Sequence, residues 1–473
     1  MKLIDKRTLL AGVAVMATLV GAGQSFAQAT DTATVEELIV TGSRIKRADI
    51  TGVGPATVIS QEQIERTGLT NVEALLQRLP ASAGNAGNQT NAYWTGNGYG
   101  TAQVNLRGLG INRTLTLING RRVVNGGTGA NSAPDLNMIP TAIIGRIDVL
   151  KDGASAIYGA DAVAGVVNII TQNNFEGLKL SGKYGVTDEG DGQEYAVDVL
   201  WGMRNERGGV TAGLTYQKTE AVNLASRAPC GLGESGGQLV CISSASTIGG
   251  RAVLPNGQQI NFNQTPGGNG NFYEPYSAAK HNFNSNPFLN AVSPIERIST
   301  AFMADYKLTD TVTLFGELFF THRESHQIAT PGTLRNLVIS ASNPTNPTGQ
   351  NITLLQRRLA EPGPRIFSQE TDTYRFVGGA RGELKGDWTW EAAANWGRNT
   401  GVDAMSNIAN LERVRNSVNT SVCSITPGAA IPCIDYLGAG DVTPAALKYI
   451  LFNSRDTGGN EQKSVTADVT GTL

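Results

Sequence analysis

The feature that most constrains the fold is a series of segments, in the C-terminal two thirds of the chain, in which apolar and polar residues alternate. In the segment EYAVDVLWGM, for example, Tyr195, Val197 and Trp201 alternate with the polar Glu194 and Asp198. Because successive side chains of a strand point to opposite faces, each such segment predicts a β-strand with one apolar and one polar face. About eight strands are predicted in this way, at residues 178–186, 194–203, 209–217, 298–308, 312–320, 374–384, 388–396 and 465–473.

The chemistry of the two faces and the lengths of the connections indicate a membrane barrel. The polar faces carry Lys, Glu, Asp, Thr and Gly, and aromatic residues lie near the strand ends, at Tyr184, Trp201, Tyr216, Trp388 and Trp396. The connection at residues 218–296 is long, whereas the turns at 308–310 and 385–387 are short. Apolar side chains outside, polar side chains inside and alternating short and long connections are typical of an outer-membrane β-barrel. A secreted β-sandwich is the alternative, and it does not account for connections of such unequal length.

The N-terminal residues have the organisation of a secretory signal peptide. Lys2, Lys6 and Arg7 form a positive region, an apolar stretch follows, and small residues precede the expected cleavage site. We therefore predict a signal peptide at residues 1–27 and an exported chain that begins with a periplasmic segment at 28–50. A membrane anchor is the alternative.

The composition and the cysteines narrow the functional classes. Only 16% of the residues are charged and the net charge is −2, so nothing indicates a nucleic-acid partner. Close cysteine pairs in an exported protein predict two local disulfides, Cys230–Cys241 and Cys423–Cys433. No Cys-x-x-Cys motif or neighbouring histidine supports metal binding by these cysteines. The HRESH segment places His322 about 13 Å from His326 on an extended chain, so no metal site is predicted there either.

Residues 51–172 have a different pattern and predict a compact α/β domain. Short helices alternate with short strands, and capping-box patterns at 60–63 and 70–73 open two of the helices. The Asn119-Gly120 pair predicts a hairpin turn of type I′. A domain of this length can bury a core of its own.

One loop of this domain carries candidate ligand-binding residues. Residues 81–102 are rich in Gly and Asn and contain Tyr93, Trp94, Asn97 and Tyr99. Aromatic rings and amides suit contacts with a polar ligand, and a flexible surface loop is the alternative. No nucleophile–base pair and no dinucleotide-binding glycine motif in a strand–helix context is recognisable, so neither an enzyme nor a cofactor is predicted.

Three stretches of the chain resemble the TonB-dependent outer-membrane receptors. They are EELIVTGSRI at residues 36–45, VNLRGLGINRTLTLINGRRV at 104–123, and IDVLKDGASAIYGADAVAGVVNIIT at 147–171. The resemblance implies an α/β plug domain (51–172) inside an antiparallel membrane barrel of about 22 strands. About eight of these strands lie in the partial barrel at 173–473, so the chain resembles the N-terminal part of a longer receptor.

The resemblance also implies a function, a location and partners. Such receptors lie in the outer membrane of Gram-negative bacteria, in contact with its lipid, bind a scarce extracellular ligand and import it to the periplasm. The energy comes from the periplasmic protein TonB and its inner-membrane partners. By resemblance, the TonB box is Glu37, Leu38, Ile39, Val40 and Thr41, which would pair as a strand with TonB; a disordered tail is the alternative.

The resemblance further suggests how the plug is held in the barrel. The family often has Arg-Gly-Pro where this chain has Lys151-Asp152-Gly153. Arg107 is therefore the better candidate for a plug charge held by barrel carboxylates. A passive outer-membrane pore or an adhesion barrel is the alternative function, but neither needs a plug or a TonB box. The ligand stays open, with a siderophore and a glycan among the candidates.

Overall fold

A computed structural model describes residues 56–68, 72–82, 100–127, 133–235, 237–263, 272–438 and 442–471. The first part of the chain forms a five-stranded sheet with the order β1-β4-β5-β2-β3. Its strands are β1 (Ala56–Ser60), β2 (Thr114–Ile118), β3 (Arg121–Arg122), β4 (Ile144–Leu150) and β5 (Gly165–Thr171). Only β2 and β5 pair in parallel.

Short helices connect these strands, and local sequence explains where they begin. The α-helices are α1 (Gln61–Arg66), α2 (Val72–Gln77) and α3 (Ser155–Tyr158), and the 3-10 helices are Ile111–Arg113, Leu136–Met138, Thr141–Ile143 and Ala160–Ala162. The capping box predicted at 60–63 is present, because Ser60 and Gln63 each bind the other's backbone amide, whereas the one predicted at 70–73 begins outside the described residues. Asn119 and Gly120 both have positive φ, at 51° and 75°, as a type I′ turn requires. We refer to this α/β unit as the plug.

The rest of the chain is built almost entirely from strands. In chain order they are β6 (Gly177–Gly185), β7 (Glu194–Asn205), β8 (Gly208–Thr219), β9 (Val222–Asn223), β10 (Gly231–Ser235), β11 (Gln238–Ile242), β12 (Arg251–Val253), β13 (Gln259–Phe262), β14 (Tyr273–Pro275), β15 (Asn290–Val292), β16 (Ile295–Lys307), β17 (Val312–Ala329), β18 (Thr333–Ile339), β19 (Ile352–Arg358), β20 (Arg365–Glu383), β21 (Thr389–Ala409) and β22 (Leu451–Thr470). Short α-helices lie among them at α4 (Ala278–His281), α5 (Leu411–Asn416) and α6 (Pro444–Ile450), with 3-10 helices at Leu224–Ser226 and Asn286–Phe288.

Eight of these strands form one antiparallel sheet, the wall, with the order β6-β7-β8-β16-β17-β20-β21-β22. At one end of the wall the connections are short, at residues 206–207, 308–311 and 384–388. At the other end they are longer, at residues 186–193, 220–294, 330–364 and 410–450. The prediction of an antiparallel barrel-type sheet with an α/β plug is confirmed, and within the described residues this sheet is not closed.

The two faces of the wall are as different as the sequence predicts. Apolar side chains such as Leu180 and Val465 are 69% and 83% exposed on the outer face. On the opposite face, Thr215 and Ser299 are fully buried against the plug. In the part of the chain that the structure describes, no helix is both long enough and apolar enough to cross a membrane.

The wall strands extend further toward the long-loop end than predicted. The predicted strand at 312–320 continues to residue 329, that at 388–396 continues to 409, and the last begins at 451 rather than 465. The extensions were missed because both of their faces are polar. In β17, for example, His322 and Glu324 lie on the outer face while Arg323 and Ser325 lie on the inner face. An alternation of apolar and polar residues is therefore absent there.

The long connections contain regular structure that the alternation of apolar and polar residues does not predict. They form a second five-stranded sheet, β14-β13-β12-β19-β18, which packs with α5 and α6 around a common apolar core. Phe262, Leu354, Val414 and Ile450 are buried in this core although they come from three different connections. We call this unit the loop domain. The structure pairs Cys423 with Cys433 within it and Cys230 with Cys241 on the β10–β11 hairpin.

Candidate functional site

The candidate site is the interface between the plug and the polar face of the wall. The plug core is continuous with the wall, because Leu200, Met303 and Phe319 of the wall pack into the same apolar cluster as the plug strands. Around this apolar contact lie buried polar and charged side chains that join the two parts. The plug therefore packs directly against the polar face of the wall.

Glu317 on β17 is the centre of the first group of polar contacts. Asn119 Nδ2 of the plug donates to Glu317 Oε1 at 2.9 Å, and Arg121 Nη1 lies 3.6 Å from the same oxygen. From the wall, Arg375 Nη1 donates to Glu317 Oε2 at 2.5 Å, while Arg121 also pairs with Glu391 on β21. Because Glu317 and Arg375 are only 8% and 2% exposed, their charges depend on these partners rather than on water. The turn at Asn119 thus brings a plug cation to two wall carboxylates.

Arg323 on β17 is the centre of the second group. Its Nε lies 3.1 Å from Oδ2 of Asp135 in the plug, and its Nη1 donates to the carbonyl oxygen of Gly100 at 2.6 Å. Its Nη2 donates to Gln369 on the neighbouring strand. Gly100 has φ +65°, and a Cβ added there would lie 2.2 Å from Ser325 Oγ. The approach of the plug backbone to the wall therefore requires glycine at this position.

The plug segment that carries Asp135 is held at several further points. Asp135 Oδ1 accepts hydrogen bonds from the backbone amides of Ala102 and Asn137, at 2.9 and 3.0 Å. Arg297 Nη1 on β16 donates to the carbonyl oxygen of Asn137 at 3.1 Å. Thr321 Oγ1 donates to the next carbonyl along the chain at 2.8 Å. The wall thus binds the backbone of this segment as well as its carboxylate.

The plug also meets β6 and β7 of the wall, through more exposed groups. Glu65 on α1 pairs with Lys179 on β6, and this contact lowers the pKa of Glu65. Thr141 Oγ1 donates to Asp198 Oδ1 on β7 at 2.9 Å. The side chains of Glu65 and Lys179 are 52% and 36% exposed, so water screens this pair far more than it screens Glu317 or Arg323.

Several of the residues predicted from the sequence lie outside the described residues. These are the predicted TonB-box residues, Glu37, Leu38, Ile39, Val40 and Thr41, and the predicted ligand-binding residues, Tyr93, Trp94, Asn97 and Tyr99. Their roles stay predictions.

Within the described residues, Arg107 contacts the plug itself and not a carboxylate of the wall. Its Nε and Nη2 donate to the carbonyl oxygens of Ala164 and Val163, at 3.1 and 2.8 Å, within the plug. The backbone of Arg107 has φ +56°, in a turn from which the side chain reaches the start of β5. Among the described residues no carboxylate lies within ion-pair distance of it, and the charged plug–wall contacts are made by Arg121, Asp135 and Glu65.

The HRESH segment lies within β17 rather than at its end. His322 and His326 both lie on the outer face of the wall, where His322 Nδ1 is 2.8 Å from Asp372 Oδ1 and His326 Nδ1 is 2.9 Å from Ser368 Oγ. No group of three or more metal-ligating side chains is present in the described ranges.

Sequence reasoning does not single out Glu317, Arg323 or Arg375, although a signal for them exists. Each occupies an inward position in the alternation of a wall strand. A fully buried charge on such a face needs a partner, which makes it a candidate for a plug contact. The partner itself cannot be read from the strand, because it depends on how the plug is docked.

Comparison with known proteins places this geometry in a family. The family model of the TonB-dependent receptor plug domain matches residues 50–166, which contain the hairpin turn at Asn119 and the carboxylate Asp135 that contact the wall. Residues 50–166 belong to the plug-domain family of the TonB-dependent receptors. Members of this family are outer-membrane receptors and transporters rather than enzymes.

Solved siderophore receptors are similar to this receptor over most of its length. The siderophore receptor PirA from Pseudomonas aeruginosa is 14% identical, with a TM-score of 0.34 over 75% of this chain and 54% of its own. A ferric enterobactin receptor (PfeA) from the same organism is 14% identical, with a TM-score of 0.39 over 88% and 59%. The siderophore receptor PiuA from Acinetobacter baumannii is 14% identical, with a TM-score of 0.40 over 88% and 55%. The chain therefore spans a little more than half the length of these receptors.

Proposed function

We propose that this receptor imports an extracellular ligand into the periplasm, and that TonB supplies the energy by pulling on residues 37–41. The observation that carries the proposal is that the plug fills the polar face of the wall through buried, charge-compensated contacts. Separating one such pair, for example Asp135 of the plug from Arg323 of the wall, leaves a buried charge uncompensated and costs about 3–5 kcal/mol. Several pairs have to separate together, so external work is the natural way to open the passage.

The two groups of contacts suggest the direction in which the plug yields. The exposed pair of Glu65 and Lys179 is the weaker one, and α1 follows β1, which is the described strand nearest in sequence to residues 37–41. A pull on the N-terminal segment reaches this pair before it reaches the buried groups around Glu317 and Arg323. A passive pore needs neither a pulling site nor such a plug.

Uptake and binding can be separated in the full-length receptor, produced in a host that lacks its own receptors for the probes. The probes are ferric enterobactin labelled with ⁵⁵Fe and radiolabelled maltoheptaose, which represent siderophores and neutral glycans. Deletion of residues 37–41 is expected to leave surface binding unchanged and to abolish accumulation. Deletion of residues 30–34, which removes the same number of residues upstream, is the matched control and is expected to retain both. Unchanged accumulation without residues 37–41 contradicts the proposal.

A further inference from the structure

Two fully buried arginines face each other on the plug side of the wall. Arg297 on β16 and Arg323 on β17 are directly opposite in the antiparallel ladder, and each is 1% exposed. Side chains in this relation have Cβ atoms about 4.5–5.5 Å apart, and like charges there repel. Burial of two guanidinium groups side by side requires a negative charge close by.

For Arg323 that negative charge comes from the plug and not from the wall. Asp135 is the carboxylate within ion-pair distance of Arg323 in the described part of the chain, and it is only 4% exposed. Arg375, the neighbouring buried arginine of the wall, differs in this respect because Glu317 of the wall itself compensates it. If the plug moves, Arg375 keeps its counter-charge, whereas Arg323 loses its own.

The contact between Asp135 and Arg323 compensates charge without completing the hydrogen bonds of the guanidinium. Arg323 Nε lies 3.1 Å from Asp135 Oδ2, but the N–H does not point at an acceptor in the described residues. A carboxylate or phosphate that approached in line could bind the guanidinium fork more completely. The arrangement therefore has the character of an anion site that the plug occupies from one side.

We propose that Arg297 and Arg323 form an anion-binding site of the wall, which Asp135 occupies at rest and which an anionic group of the ligand takes when plug residues 133–138 move. The proposal rests on the proposed function and specifies its substrate class: a ligand that carries carboxylates, phosphates or the net negative charge of a ferric chelate. Occupation of the site by the ligand would offset the loss of Asp135, so an anionic ligand passes more easily than a neutral one.

Anion rescue of a plug variant tests the site without any transport. In the purified full-length receptor, Asp135→Asn is expected to lower the midpoint of thermal unfolding. Inorganic phosphate at constant ionic strength is expected to raise this midpoint saturably toward that of the wild type. In the double variant Asp135→Asn, Arg323→Gln the saturable effect of phosphate is expected to disappear.

A matched control separates a specific site from general stabilisation by phosphate. Asp148 is also a buried plug carboxylate next to an arginine, but its partner Arg146 belongs to the plug. Asp148→Asn is therefore expected to show no saturable phosphate effect. The proposal is overturned if phosphate has an equal saturable effect on both single variants, or if that effect persists in the double variant Asp135→Asn, Arg323→Gln. If Asp135→Asn does not assemble, the yield of refolded receptor in phosphate against chloride is measured instead, and no gain in phosphate overturns it as well.

Uptake then tests the substrate class. Arg323→Gln is expected to lower the uptake rate of ferric enterobactin relative to that of maltoheptaose by about tenfold, the effect of losing one charge-assisted hydrogen bond. Equal effects on both probes overturn the proposed class. The deletion of residues 37–41 tests TonB coupling alone, so a failure of that experiment is distinguishable from a failure of phosphate rescue.

Discussion

Glu317 and Arg323 lie at inward positions of the same strand, and each meets the plug through a different chemistry. Glu317 accepts a hydrogen bond from a side-chain amide of the plug and pairs with a plug guanidinium. Arg323 pairs with a plug carboxylate and donates to a carbonyl oxygen of the plug. The wall thus offers both signs of charge, and the plug supplies the complement to each. Such complementarity fixes the orientation of the plug, because a shifted plug would leave like charges opposed.

Removal of the charge at Glu317 is expected to weaken plug docking. Glu317→Gln leaves Arg375 and Arg121 without a shared carboxylate. The free energy of unfolding should therefore fall by about 3–5 kcal/mol, which is measured as a lower midpoint of urea unfolding. Glu383→Gln, on an exposed glutamate at the end of β20, is the control and should change little. Equal midpoints for the two variants would show that the buried group does not hold the plug.

Glycine at position 100 is expected to be required by space as well as by backbone conformation. Gly100 and Gly68 have nearly the same φ, +65° and +68°, but only a Cβ at Gly100 meets the wall. Gly68→Ala should therefore cost about 1 kcal/mol from its backbone alone, and Gly100→Ala clearly more. Thermal unfolding of both variants checks this prediction, and a similar cost at both positions contradicts the close approach.

At the scale of elements, the sequence predicts the strands of the wall better than it predicts the loop domain at the end of the wall. Alternation identifies β6 to β8 because one face of each is apolar and exposed while the other contacts the plug, so their two faces differ in polarity. Alternation does not identify residues 321–329 of β17, where both faces are polar, or the short strands of the loop domain. Leu354 and Phe262 share a core only because separate connections converge, and no local pattern reports that convergence. The contact predicted for Arg107 is likewise not readable from a local pattern, since the partner of a plug charge depends on docking.

The Cys423–Cys433 disulfide is expected to stabilise its part of the loop domain. It closes a loop with a sequence separation of 10, and Val418 and Ile434 on either side of it are buried in the loop-domain core. A loop of this size corresponds to about 2–3 kcal/mol of lost chain entropy in the unfolded state. The double variant Cys423→Ser, Cys433→Ser should be cleaved faster by trypsin within residues 411–450. The corresponding Cys230, Cys241 double variant is the control, and faster cleavage of 411–450 in that variant instead would contradict this role.

Acid is expected to loosen the contact between β14 and α4. Lys280 and His281 hold the pKa of Glu274 well below its ordinary value, at about 2. A depressed pKa stabilises the fold above the ordinary pKa of the group, and this contribution is lost as the pH falls from about 4.5 toward 2. Hydrogen exchange of residues 273–281, corrected for intrinsic rates, should therefore lose protection between pH 5 and pH 3. Glu274→Gln should remove most of this pH dependence, while Glu412→Gln on α5 should keep it; the opposite pattern rules out Glu274 as the cause.

At the scale of the whole molecule, the receptor combines a rigid wall with a plug that blocks its polar face. The wall is continuous through long paired strands, whereas the plug meets it through side chains and a shared apolar cluster. Under the proposed function, work applied to the N-terminal segment acts on the plug–wall interface and not on the ladder hydrogen bonds of the wall. We therefore expect the interface to open while the wall stays intact.

Ser299 provides the most direct test of this claim. It lies on the inner face of β16 and is fully buried, and its Oγ lies 2.9 Å from Thr321 Oγ1, which donates to the plug. A Ser299→Cys receptor is labelled with a thiol-reactive maleimide in energised cells, with and without TonB, and again after deletion of residues 37–41. Ser342→Cys, on an exposed turn, is the positive control for labelling. We expect the Ser299→Cys receptor to be labelled only when TonB, energy and residues 37–41 are all present. Equal labelling without TonB or without residues 37–41 would contradict it.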